Sequence, residues 1–212
     1  MQEPGLKAAE IGQWSRALVM SSHSGGKMEK KELTKRLLGE SFRNLLDTTP
    51  FEKITIHMIT DDAGVIRPTF YHYFKDKYEV VEWLFEEEVG NPVREILSSG
   101  MLKEAAKVFF VKLDENRGYY RKIFEISGQN SFIEILERDI YTVLFDVIKE
   151  KKLRRNEVPK VLTDEVLASY YTMTTVNIVK AWVKTDMDIS TTELVDSYAY
   201  LLLHSVDEIF KL

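Results

Sequence analysis

The stretch Ile54-Thr-Ile-His-Met-Ile-Thr-Asp-Asp-Ala-Gly-Val-Ile-Arg-Pro-Thr-Phe-Tyr-His-Tyr-Phe-Lys-Asp-Lys77 constrains this chain more than any other. It reads as two short helices on either side of a glycine turn. Thr55 stands where it caps the first helix, which carries Ile56 and Ile59. Ala63-Gly64 ends that helix, because glycine enters the left-handed conformation without a Cβ clash. Arg67-Pro68 opens the second, where proline's missing N–H does no harm. Phe70 and Phe74 share one face, four residues apart, and Arg67, Thr69, Tyr71, His72 and Tyr73 make the outer side polar and aromatic. Helix, tight turn and helix in this order make a helix-turn-helix.

The flanking sequence has the same helical period. Leu33, Leu37, Leu38, Phe42, Leu45 and Leu46 form one apolar face of a preceding helix, which Pro50 stops. A fourth helix starts at Lys75 or Asp76, runs through Val80, Val81, Leu84 and Phe85, and is expected to halt at Gly90-Asn91-Pro92. Glu86-Glu-Glu88 reads as a solvated face of it. Further helices are expected over Met101–Asn116, Gly118–Ser127, Ser131–Lys152, Thr163–Lys184 and Ser190–Lys211. Ser190-Thr-Thr-Glu193 has the spacing of a capping box. No segment alternates as a strand does, so the expected class is all-α. Residues 1–27 read as a flexible extension ending in Ser21-Ser-His-Ser-Gly-Gly26, with Met28 as the expected natural start. Residues 28–77 form the helix-turn-helix domain, and residues 78–212 a second helical domain.

Charge and composition limit the function. The chain has 29 Lys and Arg against 34 Asp and Glu, a formal net charge of −5. The acidic excess lies beyond Lys77; residues 28–77 carry nine basic and eight acidic side chains. Val65–Lys75 contains no acid at all. Phosphates repel acidic protein, so nucleic-acid contact is expected from this part of the chain. With no cysteine, there are no disulfides, thiolate metal sites or cysteine nucleophiles. The four histidines never fall at i, i+4, so no helical metal site is expected. Ser24-Gly-Gly-Lys27 lacks the glycine and hydroxyl spacing of a phosphate loop, and Asp61-Asp62 diverge on a helix. No catalytic constellation and no cofactor motif is found. No apolar run is long enough to span a bilayer, and the N-terminus is unlike an export signal, so a cytoplasmic protein is expected.

The central motif resembles the DNA-binding domain of the TetR family of bacterial regulators. Thr55, Ile59, Ala63, Gly64, Val65, Thr69, Tyr71, Tyr73, Phe74 and Lys77 match the family pattern in register. Thr60, Ile66 and Phe70 depart from it, where the family usually has alanine, an N-cap serine and leucine. Leu113-Asp-Glu-Asn-Arg-Gly-Tyr-Tyr-Arg-Lys-Ile-Phe124 is similar to a segment of a TetR branch that includes an activator of dihydroxyacetone kinase operons. The resemblance implies a homodimer on a palindromic operator in double-stranded DNA. It implies DNA contact by Thr55, Thr69, Tyr71, Tyr73 and Lys77, to which the polar outer face of the second helix adds Arg67 and His72. It also implies an effector site in the C-terminal domain, for a small molecule or, alternatively, a protein co-regulator. Tyr120, Phe124, Tyr141, Phe145 and Tyr171 are the candidate pocket aromatics. Trp182, Leu194, Tyr198, Leu201, Leu202 and Ile209 are the candidate dimer stripe, because the last helix is apolar beyond a single face.

Overall fold

The computed structural model describes residues 30–126, 131–150, 159–185, 188–203 and 208–209. The expected extension, residues 1–27, lies outside them. The chain divides into two compact units, Met1–Arg36 and Leu37–Leu212. The described part of the first is the opening of helix α1, where Arg36 Nε donates to Glu32 Oε1 at 3.2 Å.

All the described regular structure is helical. α1 spans Lys30–Thr48, and a single 3₁₀ turn, Phe51–Lys53, follows Pro50. α2 is Ile56–Asp62 and α3 is Arg67–Tyr73. α4 (Lys77–Phe85) runs through a π-helical segment, Glu86–Gly90, into α5, Asn91–Ser98. Next come α6 (Leu102–Glu115), α7 (Arg117–Phe124), α8 (Phe132–Glu150), α9 (Asp164–Lys184) and α10 (Thr191–Leu203). Within the second unit one apolar cluster runs from Leu38 on α1 to Val195 on α10, without a break at Lys77–Tyr78. α8 packs along α9, α6 on α5, and α10 on α6.

Local chemistry sets the boundaries. Thr55 caps α2, its hydroxyl accepting from Met58 N at 3.3 Å, as its position predicts. Gly64 has φ +66°, and a side chain there would be strained. Asp76 caps α4 by accepting from Tyr78 N and Glu79 N at 2.8 and 3.0 Å. Ser190 accepts from Glu193 N at 3.2 Å, the serine half of the expected capping box.

Gly90-Asn91-Pro92 does not stop the fourth helix. Proline in a regular α-helix clashes with the carbonyl four residues back and leaves that carbonyl without a donor. Here the chain widens to the π register one turn earlier, so that Asn91 N donates to Glu86 O, five residues back. Pro92 then falls in the first turn of α5, where it is harmless. Of the glutamates of this segment, Glu87 is exposed as expected, while Glu86 and Glu88 are half-buried. Glu88 is ion-paired with Arg43, Glu86 with Arg94, and Glu87 accepts from Asn91 Nδ2.

Candidate nucleic-acid interface and ligand cavity

Phe70 and Phe74 anchor α3. Both are buried, and their rings meet at 5.7 Å between centroids. The opposite side of α3 faces outward with Arg67, Tyr71 and His72 exposed, Thr69 and Tyr73 half-buried. Tyr71 is 49% exposed, and its hydroxyl accepts from Arg67 Nη2 at 2.9 Å. This contact holds the guanidinium and the phenol side by side, one turn apart. The His72 ring meets Tyr73 edge-on at 5.0 Å. Thr55 is also exposed, at the start of α2.

The departures from the family pattern have local explanations. Thr60 is buried, but its hydroxyl lies 3.0 Å from both Ile56 O and His57 O and donates within its own helix. Ile66 is 70% exposed and offers no capping oxygen. The start of α3 needs less capping because Pro68 has no N–H and Thr69 N donates to Ile66 O at 2.8 Å.

Lys77 has a different task from the expected phosphate contact. Its Nζ donates to Phe51 O at 2.6 Å, Ile54 O at 3.0 Å and Glu52 O at 3.3 Å. An ammonium has three donors, and these carbonyls use all of them. The same nitrogen lies 4.3 Å from the centre of the Phe51 ring. Partial burial pushes the Lys77 pKa down, against the pull of Glu52. Lys77 therefore ties the 3₁₀ turn to the start of α4, and so sets where α2 begins.

Two cations outside the motif join the helix-turn-helix head to the helices behind it. Arg43 Nη2 on α1 donates to both carboxylate oxygens of Glu88, at 2.7 Å each. Its guanidinium also lies 4.5 Å from the centre of the buried Tyr119 ring on α7. Lys122, also on α7, donates to Leu46 O and Asp47 O at 3.1 and 3.2 Å, where a cation complements the helix dipole at the end of α1. No local spacing announces these pairs, which link residues 45 and 76 positions apart.

A cavity of about 90 Å³ opens among α4, α5, α6, α8, α9 and α10. Val93, Leu97, Phe109, Phe110 and Val143 are among its apolar walls. Its polar lining side chains are Arg94, Asp139, Thr175 and Tyr198. None of the five aromatics expected in a pocket lines it. Tyr120 and Phe124 pack on Phe132, with centroids 5.7 and 5.0 Å away. Tyr141 stacks on Phe145 at 5.9 Å, one helical step away from Ile140, Val143 and Leu144, which face the cavity. Tyr171 meets Tyr170 edge-on. The expected choice favoured large rings, whereas the wall is mostly aliphatic.

The expected dimer stripe divides. Trp182 is 2% exposed, and its Nε1 donates to Ile189 O at 3.0 Å. Leu194 is buried, and Tyr198 turns inward to lie 2.7 Å from Thr175 Oγ1. Trp182 and Leu194 thus belong to the chain's own interior, while Tyr198 is half-buried. Leu201 is exposed, Ile209 is half-buried, and the Leu202 side chain lies outside the described residues. The large exposed apolar residues of α9 are Val166, Tyr170 and Met173, at i, i+4 and i+7. Tyr200 is exposed on α10.

Residues 43–84 match the family model for bacterial regulatory proteins of the tetR family. Residues 101–204 match a model for a TetR-type transcriptional regulator C-terminal region. The chain belongs to the TetR family. As a member it is a DNA-binding transcriptional regulator and not an enzyme. It is 25% identical over 135 residues to the HTH-type dhaKLM operon transcriptional activator DhaS of Lactococcus lactis, covering 63% of this chain and 72% of that protein. Solved structures share the fold. A dihydroxyacetone kinase operon activator DhaS superposes with a TM-score of 0.57 at 22% identity, covering 80% of this chain and 94% of that one. The fatty acid degradation regulator FadR from Bacillus halodurans gives 0.62 at 21% identity, covering 86% and 100%. The Thermus thermophilus repressor FadR, solved with lauroyl-CoA, gives 0.60 at 15% identity, covering 81% and 94%. No described helix of this TetR-family regulator is long and apolar enough to cross a membrane.

Proposed function

We propose that the chain works as a homodimer that places two copies of α3 in successive major grooves of a palindromic operator, under the control of a small molecule held in the cavity. The observation that carries the DNA reading is the outer face of α3. It offers Arg67, Tyr71, His72 and Tyr73 without an acid between Val65 and Lys75. Tyr71 and Tyr73 reach phosphate oxygens, Arg67 and His72 reach phosphates or base edges, and Thr55 and Thr69 add hydroxyl contacts. Lys77 supports this face from behind.

A dimer follows from the size of the head, since a seven-residue recognition helix covers too little DNA for specific binding alone. Val166, Tyr170 and Met173 on α9, with Tyr200 and Leu201 on α10, are the surface we assign to it.

The cavity supports a small-molecule effector over a protein co-regulator. Val89 and Gly90 of the π-helical segment line it, and Glu88 of the same segment holds Arg43 on α1. A ligand that moves this segment therefore pulls on the DNA-binding head.

Fluorescence anisotropy with DNA from upstream of the protein's own coding region tests the reading. Binding that weakens steeply with salt is expected, and Arg67→Ala with Tyr71→Ala should abolish it. Unchanged affinity in the double variant would remove α3 as the docking face.

A further inference from the structure

Around the polar end of the cavity, the ion pairs leave a carboxylate over. Glu86 pairs with Arg94, whose Nη2 also lies 3.4 Å from Asn91 Oδ1. Glu82 takes Arg138 Nη2 at 2.5 Å. Asp139 meets the Nε of that same Arg138 at 3.4 Å and feels Arg94 at longer range, and its side chain is 18% exposed. Three carboxylates thus share two guanidinium groups. Asp139, the most weakly paired of the three, is the one that lines the cavity.

The other polar feature of the wall has the same character. Thr175 Oγ1 lies 2.8 Å from Tyr171 O, to which it donates. Tyr198 OH lies 2.7 Å from Thr175 Oγ1 and must therefore supply the proton of that contact. Its oxygen keeps a lone pair for the cavity and has no proton left to give. An anionic ligand would bring a fourth negative charge to these two guanidinium groups. A ligand with a donor head displaces nothing.

We propose that the cavity binds a small, mainly apolar molecule bearing one ammonium group, which pairs with Asp139 while its hydrocarbon part lies along Val93, Leu97, Phe109 and Val143. The proposal rests on the reading of this cavity as the effector site. Burial pushes the Asp139 carboxyl above its usual pKa, against the opposing pull of Arg138 and Arg94.

Isothermal titration of the full chain with octylammonium, octanoate and octan-1-ol at neutral pH tests it. Octylammonium is expected to bind at least about tenfold more tightly than octanoate, a margin ordinary for a single charge pair. Asp139→Asn should erase that preference, with the helical circular dichroism of the parent chain retained to show that the variant is folded. Octanoate binding as tightly as octylammonium, or an undiminished preference in Asp139→Asn, overturns the charge assignment and leaves the effector site standing. Binding of none of the three overturns both.

Discussion

Glu86 and Glu88, two residues apart on the π-helical segment, hold partners in different parts of the molecule. Glu86 pairs with Arg94 at the cavity, and Glu88 takes Arg43 on the first helix of the DNA-binding head. Five residues with non-standard helical register therefore carry both ends of a connection. Glu88→Gln keeps the shape and removes the charge. Because the pair is part-exposed, the expected loss is modest, about 1 kcal/mol in urea unfolding. The larger effect should fall on coupling: a cavity ligand would still bind, but would no longer shift operator affinity. A full ligand response in this variant would place the connection elsewhere.

Lys77 and Arg67 differ in kind, and salt separates them. Arg67→Ala should reduce the slope of log affinity against log salt by about one, the signature of a lost phosphate contact. Lys77→Met should leave that slope unchanged. It should instead lower stability by ~1–3 kcal/mol, since three carbonyls lose their donor. Equal slope changes would restore Lys77 to the DNA surface.

Asp139 gives a pH dependence with a definite sign. Its folded-state pKa is raised by burial, so the folded chain holds this proton more tightly than the unfolded chain does. Its contribution to stability is therefore greatest in acid. It is lost as pH rises from the ordinary carboxylate value through the raised one. Above that window the ionised carboxylate is a constant penalty. Urea midpoints measured across the window should fall less steeply for Asp139→Asn, which should be the more stable form at neutral pH.

Tyr170 and Met173 are 59% and 62% exposed on one face of α9. Met173→Glu sets two like charges into the centre of a two-fold contact made by this face. Sedimentation should show a dimer for the parent chain and a monomer for the variant, with helix content unchanged. A dimeric variant would assign self-association to another surface.

The helix-turn-helix was legible in the sequence because its determinants are local. Thr55, Gly64, Pro68 and Asp76 each act within one turn of their own position, and the structure finds them doing so. Phe70 and Phe74 show their shared face by spacing alone. What escaped depends on contacts between distant segments. Lys77 looks like any lysine at a helix start until the 3₁₀ turn is folded against it. Trp182 and Tyr198 fit an apolar stripe, but a stripe does not say whether it meets a neighbouring helix or another protomer. The expected stop at Pro92 rested on the α register, and the π register removes the clash behind it. The cavity wall is built largely from Val, Leu and Ala, which no pattern sets apart from ordinary core.

The head reaches DNA with few cations, since residues 28–77 are almost balanced in charge and Lys77 uses its ammonium internally. Non-specific attachment to DNA is almost wholly electrostatic, so a head this nearly balanced in charge is expected to hold unrelated sequence weakly. Little of the protein is then expected to be stored along the chromosome. Operator occupancy then follows the number of molecules in the cell closely, and a small change in synthesis is felt at the promoter without a reservoir to buffer it.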